Sequence, residues 1–297
     1  MGDVKEWLSD VSRARGAALL GVLNVTPDSF SDGGLHLSAD DARAHVDRLL
    51  DEGADVIDIG AESTRPGAPA VAAEEQWERA GPAVRHAVGR GARVSIDTTS
   101  AEVAERALDA GVVVVNDVSC LGNVELARVT ARFDAHLLLM HSRGSMTTMR
   151  GFSTYDESGY DDVVVDVSRE WSAARERAIA AGLASERVWF DPGLGFHKNA
   201  EQSFELVRRF GEFAALGALL TLGPSRKSFI SRLDGSAPHE RLGGTVAACL
   251  HAVDHGAKLL RVHDVRAVRQ ALEMRQKLAT LGDVKTGMRS ELVGDED

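Results

Sequence analysis

The chain of 297 residues is long enough to bury a full core, and its 44% apolar and 27% charged residues match an ordinary soluble globular protein. A formal net charge of −11 argues against nucleic acid and anionic membranes as partners, since both demand a basic surface, and no apolar run approaches the roughly 18 residues of a membrane span. Two cysteines, Cys120 and Cys249, are too few for a disulfide framework and fit a reducing cytosol, and the opening MGDVKEWLSD lacks the basic-then-apolar pattern of a signal peptide, so a cytoplasmic location is expected.

Short apolar runs recur along the chain. They are ALLGVLN (Ala18–Asn24), VIDIG (Val56–Gly60), VSID (Val94–Asp97), VVVVND (Val112–Asp117), HLLLMH (His136–His141), VWFD (Val188–Asp191), LLTLG (Leu219–Gly223) and LLRVH (Leu259–His263). Their shortness and β-branched content read as buried parallel strands. Between them lie amphipathic stretches such as DDARAHVDRLLDEGA and AEVAERALDAG. The second places Val103, Ala107 and Ala110 at helical spacing, with Gly111 as an expected C-cap. Eight uninterrupted strand–helix alternations predict a single (β/α)8 barrel, with a doubly wound open sheet as the alternative. No Pro/Gly-rich linker divides the chain, so residues 1–297 read as one domain, with a core at about 17–280 and a polar tail at about 281–297.

Three connections exceed the roughly two to six residues usual between strand and helix. The first is VTPDSFSDGG (Val25–Gly34), the second AESTRPGAP (Ala61–Pro69), and the fifth, SRGSMTTMRGFSTYDES, is longer still. The first two suggest substrate loops, the fifth a flap or an insertion.

Polar residues collect where the strands end. Asn24 ends the first run, Asp97 the third, Asn116-Asp117 the fourth, His141 the fifth and Asp191 the sixth; the seventh leads into Ser225-Arg226-Lys227-Ser228, and the eighth carries Arg261 and His263. In a β/α barrel these ends open onto the active site. Any one such residue is equally well explained as a cap of the following helix. Caps have no need, however, of Lys227, Arg261 and His263. Together with Arg65 these read as a cationic set suited to phosphate or pyrophosphate. Asp97 and Asp191, with Asn116 beside them, suit a heterocycle rich in N–H donors; a divalent-metal cage and an ion pair with Lys227 are the alternatives. Walker GxxxxGK[ST], HExxH and CxxC signatures are missing. Cys120 and Cys249 read as small buried residues, and His36, His86, His136, His239, His251 and His255 as surface or core.

Several of these segments together resemble one family. NVTPDSFSDGG (Asn24–Gly34), DIGAESTRPGA (Asp58–Ala68), SIDT (Ser95–Thr98), NDVS (Asn116–Ser119), the Met140–Gly144 stretch, DPGLGFHK (Asp191–Lys198), SRKSF (Ser225–Phe229) and RVHDV (Arg261–Val265) are similar, in order, to the dihydropteroate synthases, from about Leu20 to about Leu272. The resemblance implies a transferase that joins 6-hydroxymethyl-7,8-dihydropterin pyrophosphate to p-aminobenzoate. It places Asp97, Asn116, Met140, Asp191 and Lys227 on the pterin, and Asn24, Thr64, Arg65, Arg261 and His263 on the pyrophosphate. Thr64, Arg65, Pro66, Phe196 and Ser228 fall on p-aminobenzoate. Asp97, Lys227, Arg261 and His263 carry the catalytic roles, and Asn24 helps hold Mg2+. It further implies departure of pyrophosphate before amine attack, sensitivity to sulfonamides, and a homodimer. The chain departs from the family's pattern at Ala61, Thr99, Ser142, Met146 and Gln202-Ser203, none of which removes a charged group of the expected site. Two rivals are a methyltetrahydrofolate-type methyltransferase, which has no use for SRKSF or the pyrophosphate set, and a pterin-binding paralogue without turnover.

Overall fold

A computed structural model of the chain describes residues 4–26, 38–62, 70–144, 153 and 159–281. Eight strands run through it: β1 (Ala18–Asn24), β2 (Val56–Gly60), β3 (Arg93–Asp97), β4 (Val114–Asp117), β5 (His136–Met140), β6 (Val188–Asp191), β7 (Thr221–Leu222) and β8 (Leu259–Val262). They form one sheet in the order β6-β5-β4-β3-β2-β1-β8-β7, with parallel pairing throughout. A parallel bridge between Phe190 and Leu220, with the Phe190 amide donating to Leu219 O at 2.8 Å, joins β6 to β7 and closes the ring. The expected barrel is therefore present, and the open sheet is not. The ends of several runs fall outside the ladder: Val112 and Val113 precede β4, and His141, Gly223 and His263 follow their strands.

The strands are buried on both faces, as a parallel sheet between helices requires. On the outside pack α2 (Ala39–Asp51), α3 (Ala73–Gly89), α4 (Ala101–Asp109), α5 (Val124–Arg132), α6 (Val163–Ala180), α7 (Ala200–Arg208), α8 (Leu242–Asp254) and α9 (Val265–Thr280). Alanines such as Ala80, Ala83, Ala87, Ala104 and Ala107 on the inward faces let these helices lie close to Ile57, Ile59 and Ile96 of the strands. Ser38, Ser100, Asn123, Asp162 and Asn199 cap helices with side-chain oxygens, as the residue types at these junctions predict. At the end of α4 the C-cap is Ala110, and Gly111 is the next residue, at φ +102°, so the left-handed position is one residue beyond the cap.

One element had no counterpart in the sequence reading. Helix α1 (Val4–Arg15) lies under the N-terminal end of the barrel. Its Leu8 packs into a cluster with Ala18, Leu20, Val56, Val114, Leu138, Trp189 and Leu259, drawn from six strands, while Trp7 and Val11 pack at its edge. Leu8 thereby covers the centre of the barrel floor, and the C-terminal ends of the strands lie at the opposite end. Trp7, Leu8 and Val11 have the spacing of one helical face, and that was the available signal.

Candidate functional site

Strand register builds the rim of the open end. Asn24 pairs with Gly60, Gly60 with Asp97, and Asp97 with Asn116, so three polar side chains from β1, β3 and β4 stand at one level. Gly60 is what allows this: a Cβ there would sit 3.3 Å from the Cβ of Asp97 and 3.6 Å from Asn24 Oδ1. Across the ring, Met140 of β5 pairs with Asp191 of β6.

Arg261 reaches from β8 into this rim. Its Nε donates to Asp58 Oδ2 at 2.7 Å and its Nη2 to Asp97 Oδ2 at 2.7 Å. Asn116 Nδ2 donates to the same Asp58 oxygen at 3.2 Å. Asp58 is fully buried, and its other oxygen, Oδ1, has no hydrogen-bond partner among the described residues. Asp58 thus organises both Arg261 and Asn116, and the sequence reading missed it. The signal was a lone carboxylate inside the apolar run VIDIG.

Burial governs the electrostatics. It pushes the Asp97 carboxyl up to about 7, against the pull of Arg261 and with the help of the Asp58, Asp117 and Glu62 carboxylates. Burial alone would lower Arg261, but Asp58 and Asp97 outweigh it and hold the guanidinium charged. Asp191 is raised by burial, opposed by Lys227 and by the Gly193 N–H, which donates to its Oδ1 at 2.7 Å. Lys227 is lowered by burial to about 8; its Nζ donates to Leu194 O at 2.6 Å and stands 4.5 Å from the centre of the Phe196 ring.

The sign of the Asp97 shift carries a pH dependence. A carboxyl whose folded pKa exceeds its unfolded value of about 3.9 contributes stability that is present below that value and lost as pH rises through the folded one. Unfolding free energy of the wild type should therefore fall relative to Asp97→Asn between pH 5 and 8, by about 1.4 kcal/mol or more, one pKa unit's worth. Denaturant titrations at several pH values check this. Parallel pH profiles for the two proteins would refute the raised carboxyl.

Other expected site residues are placed differently. His263 is not a cation here: burial, with Arg261 and Arg226 nearby, pushes it down to about 3. Ser225 Oγ lies 3.0 Å from its Nδ1 and accepts its backbone N–H at 3.1 Å. Arg226 is held by Asp264, with Nε donating at 2.9 Å. Asp117 turns away from the rim to accept the amides of Ser119 and Leu121 at 2.9 and 2.6 Å, capping the following turn. His141 is fully buried behind the site. Phe196 and Met140 are buried beside Lys227 and Asp191, and Ser228 Oγ donates to Ser153 Oγ at 3.1 Å. Cys249 is buried as expected, but Cys120 is half-buried, and His86 pairs with Asp47 at 2.9 Å. Thr64, Arg65 and Pro66 lie outside the described residues, as do His36, Met146 and most of the first, second and fifth long loops.

The described part of the site thus offers two acceptors, half-buried Asp97 and buried Asp191, facing two cations, Lys227 and Arg261. Such a bowl can hold a flat heterocycle by its N–H edge and an anionic group on the Arg261 side. Among the described residues, no group of three or more His, Cys, Asp or Glu could hold a metal ion, and no helix is long and apolar enough to cross a membrane.

Residues 20–263 match the family model described as "Pterin binding enzyme". The chain is 42% identical over 265 residues to the dihydropteroate synthase of Synechocystis sp., covering 88% of this chain and 89% of that one. A solved Yersinia pestis dihydropteroate synthase with a sulfonamide drug superposes with a TM-score of 0.82 at 36% identity, covering 89% of this chain and 94% of that one. Xanthomonas albilineans dihydropteroate synthase with 4-aminobenzoic acid gives 0.81 at 39% identity, covering 89% and 93%.

Proposed function

The chain belongs to the pterin-binding enzymes and, by its relatives, to the dihydropteroate synthases, and from that premise we propose that it condenses 6-hydroxymethyl-7,8-dihydropterin pyrophosphate with p-aminobenzoate to give 7,8-dihydropteroate and pyrophosphate. The single observation that carries this reading is the Asp97–Arg261–Asp58–Asn116 network, set opposite Asp191 and Lys227 at the open end of the barrel. It supplies acceptors for the pterin's N–H edge and a fixed cation for the departing diphosphate.

Asp97, Asn116 and Asp191 hold the pterin, with Met140 against its face and Lys227 donating to a ring acceptor. Arg261 lies at the seam between pterin and diphosphate, and its charge, fixed before the reaction begins, favours the negative charge that grows on the leaving oxygen. His263 is neutral in the free protein, so it contributes a hydrogen bond to the diphosphate unless the ligand's own charge raises its pKa. In the step itself the methylene C–O bond breaks, and the electron pair leaves with pyrophosphate. The aniline nitrogen then forms the C–N bond and releases its proton, so this is transfer of an alkyl group to an aryl amine. The amine is already a nucleophile and needs no strong base. Phe196 and Ser228, with Thr64, Arg65 and Pro66 of the second long loop, shape the p-aminobenzoate side. Sulfonamides, which mimic that substrate, are expected to compete there.

Mg2+ fits this arrangement. Asn24 presents a neutral amide oxygen beside the Arg261 network at the end of β1, half-buried. Mg2+ is commonly held by one or two protein oxygens with phosphate and water supplying the rest. Bound with the substrate, it would neutralise diphosphate charge at Asn24. A homodimer in the cytoplasm completes the reading, on the family resemblance.

The test is pyrophosphate release by purified protein with Mg2+ and the pterin pyrophosphate, with and without p-aminobenzoate. Release should depend on p-aminobenzoate. Asp191→Asn, which keeps shape and removes charge, should raise KM for the pterin substrate about tenfold or more, the value of one charge-assisted hydrogen bond. Tight pterin binding without turnover would replace the synthase with a non-catalytic binder.

A further inference from the structure

Behind the bowl lies a second lysine that the mechanism does not use. Lys198 is fully buried, the largest charged side chain to be so. Its Nζ donates to Gly193 O at 3.0 Å, to Phe196 O at 3.1 Å and to His141 Nδ1 at 3.0 Å, with His141 O at 3.4 Å. Because Nδ1 accepts, His141 carries its proton on Nε2, which donates to Glu170 Oε2 at 3.0 Å. Glu170 is in turn held ionised by Arg143, whose Nε donates to it at 2.9 Å. Burial and the nearby Lys198 keep His141 neutral, at about 4.

The loop between β6 and α7 is therefore gripped from two sides. From the bowl, Lys227 takes Leu194 O; from behind, Lys198 takes the carbonyls of Gly193, one residue before, and Phe196, two residues after. Gly193 and Gly195, at φ +67° and +78°, turn these carbonyls inward towards the two ammonium groups. Phe196, whose ring lies under Lys227, has its carbonyl held by Lys198 and its N–H by Gly193 O, at 3.1 Å.

We propose that Lys198 is a positioning residue for the amine substrate: acting through the Phe196 carbonyl, it fixes the Phe196 ring as one wall of the p-aminobenzoate pocket, with His141 and Glu170 orienting the ammonium from behind. This rests on the function proposed above. Removing the ammonium leaves Gly193 O with the Phe196 N–H, at 3.1 Å, but takes the Lys198 donor from the Phe196 carbonyl, and a buried carbonyl deprived of such a donor moves toward solvent or toward another donor. Phe196 then loses its fixed place, whereas Asp191 keeps the Gly193 amide and Lys227 keeps Leu194.

Steady-state kinetics on the full chain test this, with Lys198→Met, Phe196→Leu and the double variant, each checked for fold by circular dichroism. Lys198→Met should raise KM for p-aminobenzoate about tenfold, with kcat and the pterin KM changed by less than about threefold, the pattern of lost binding rather than lost transition-state contact. In the Phe196→Leu background the same substitution should add little. If Lys198→Met does not fold, Lys198→Gln, which keeps an N–H donor on a shorter side chain, should raise the KM for p-aminobenzoate by a smaller factor with kcat unmoved, and a fall in kcat with that KM unmoved overturns the inference. A fall in kcat with KM unmoved, or full additivity with Phe196→Leu, overturns the inference alone. Absence of p-aminobenzoate-dependent turnover in the wild type overturns the proposed function and this inference with it.

Discussion

Replacing Arg261 by methionine is expected to cost both stability and activity. The guanidinium lies between Asp58 and Asp97, bonded to each at 2.7 Å, and Asp58 is wholly out of water. Methionine matches the stem but leaves two buried carboxylates facing each other. Breaking one side of a buried ion pair costs about 3–5 kcal/mol, because the remaining charge is stranded. Loss of the fixed cation should also reduce turnover by about 10²–10³, the usual effect of removing one preorganised charge contact. Without the guanidinium Asp97 is raised further. A carboxyl raised in the folded state favours folding at low pH, so the variant's deficit should shrink as pH falls from 8 to 5. Urea unfolding at pH 5 and 8, with pyrophosphate release at pH 8, reads all three effects. A deficit below about 1 kcal/mol at pH 8 would mean that the network is solvated and that the pair is worth no more than a surface one.

Gly193→Ala is the second change with a large expected effect. Gly193 has φ +67°, and a Cβ there would stand 2.0 Å from His141 O, a backbone atom that cannot swing aside. The left-handed conformation costs a non-glycine residue about 1–2 kcal/mol. The clash adds roughly 1–3 kcal/mol of overpacking, or else moves the loop. Moving it withdraws the amide from Asp191 and the carbonyl from Lys198 together. Activity should fall about 100-fold, as a displacement of about 1 Å in a positioning element can do. Gly217→Ala is the control: φ is +60° but nothing lies within 4 Å of its Cβ, so only the conformational cost remains and turnover should be retained. If both variants lose the same stability and keep activity, the loop is not pinned at His141.

The strands were legible because their signal is local. A run such as VIDIG or HLLLM is mostly apolar and buried over its whole length, and buried parallel strands need little more. Most of the rim was legible for a similar reason: Asn24, Asp97, Asn116 and Asp191 stand at strand ends, where an apolar run stops and a polar residue begins. Helix α1 was less so, because its apolar face is narrow and its partners belong to six strands far along the chain. Asp58 was hidden by its own strand, since an acid within an apolar run shows no partner until the barrel closes.

The amino-acid sequence by itself determined the eightfold alternation, the order of motifs and the identity of the side chains that crown the barrel, since each depends on neighbours a few residues away. Only the tertiary structure decided how those side chains act on one another. Arg261 meets Asp97 and Asp58 across separations of 164 and 203 residues, and Lys198 meets His141 across 57. The charge a group carries depends on such partners and on how much water they exclude. That is why Asp97 is raised, why His263 stays neutral although its place in the chain suggested a cation, and why Lys198, one motif residue among several in sequence, becomes the buried anchor of a loop.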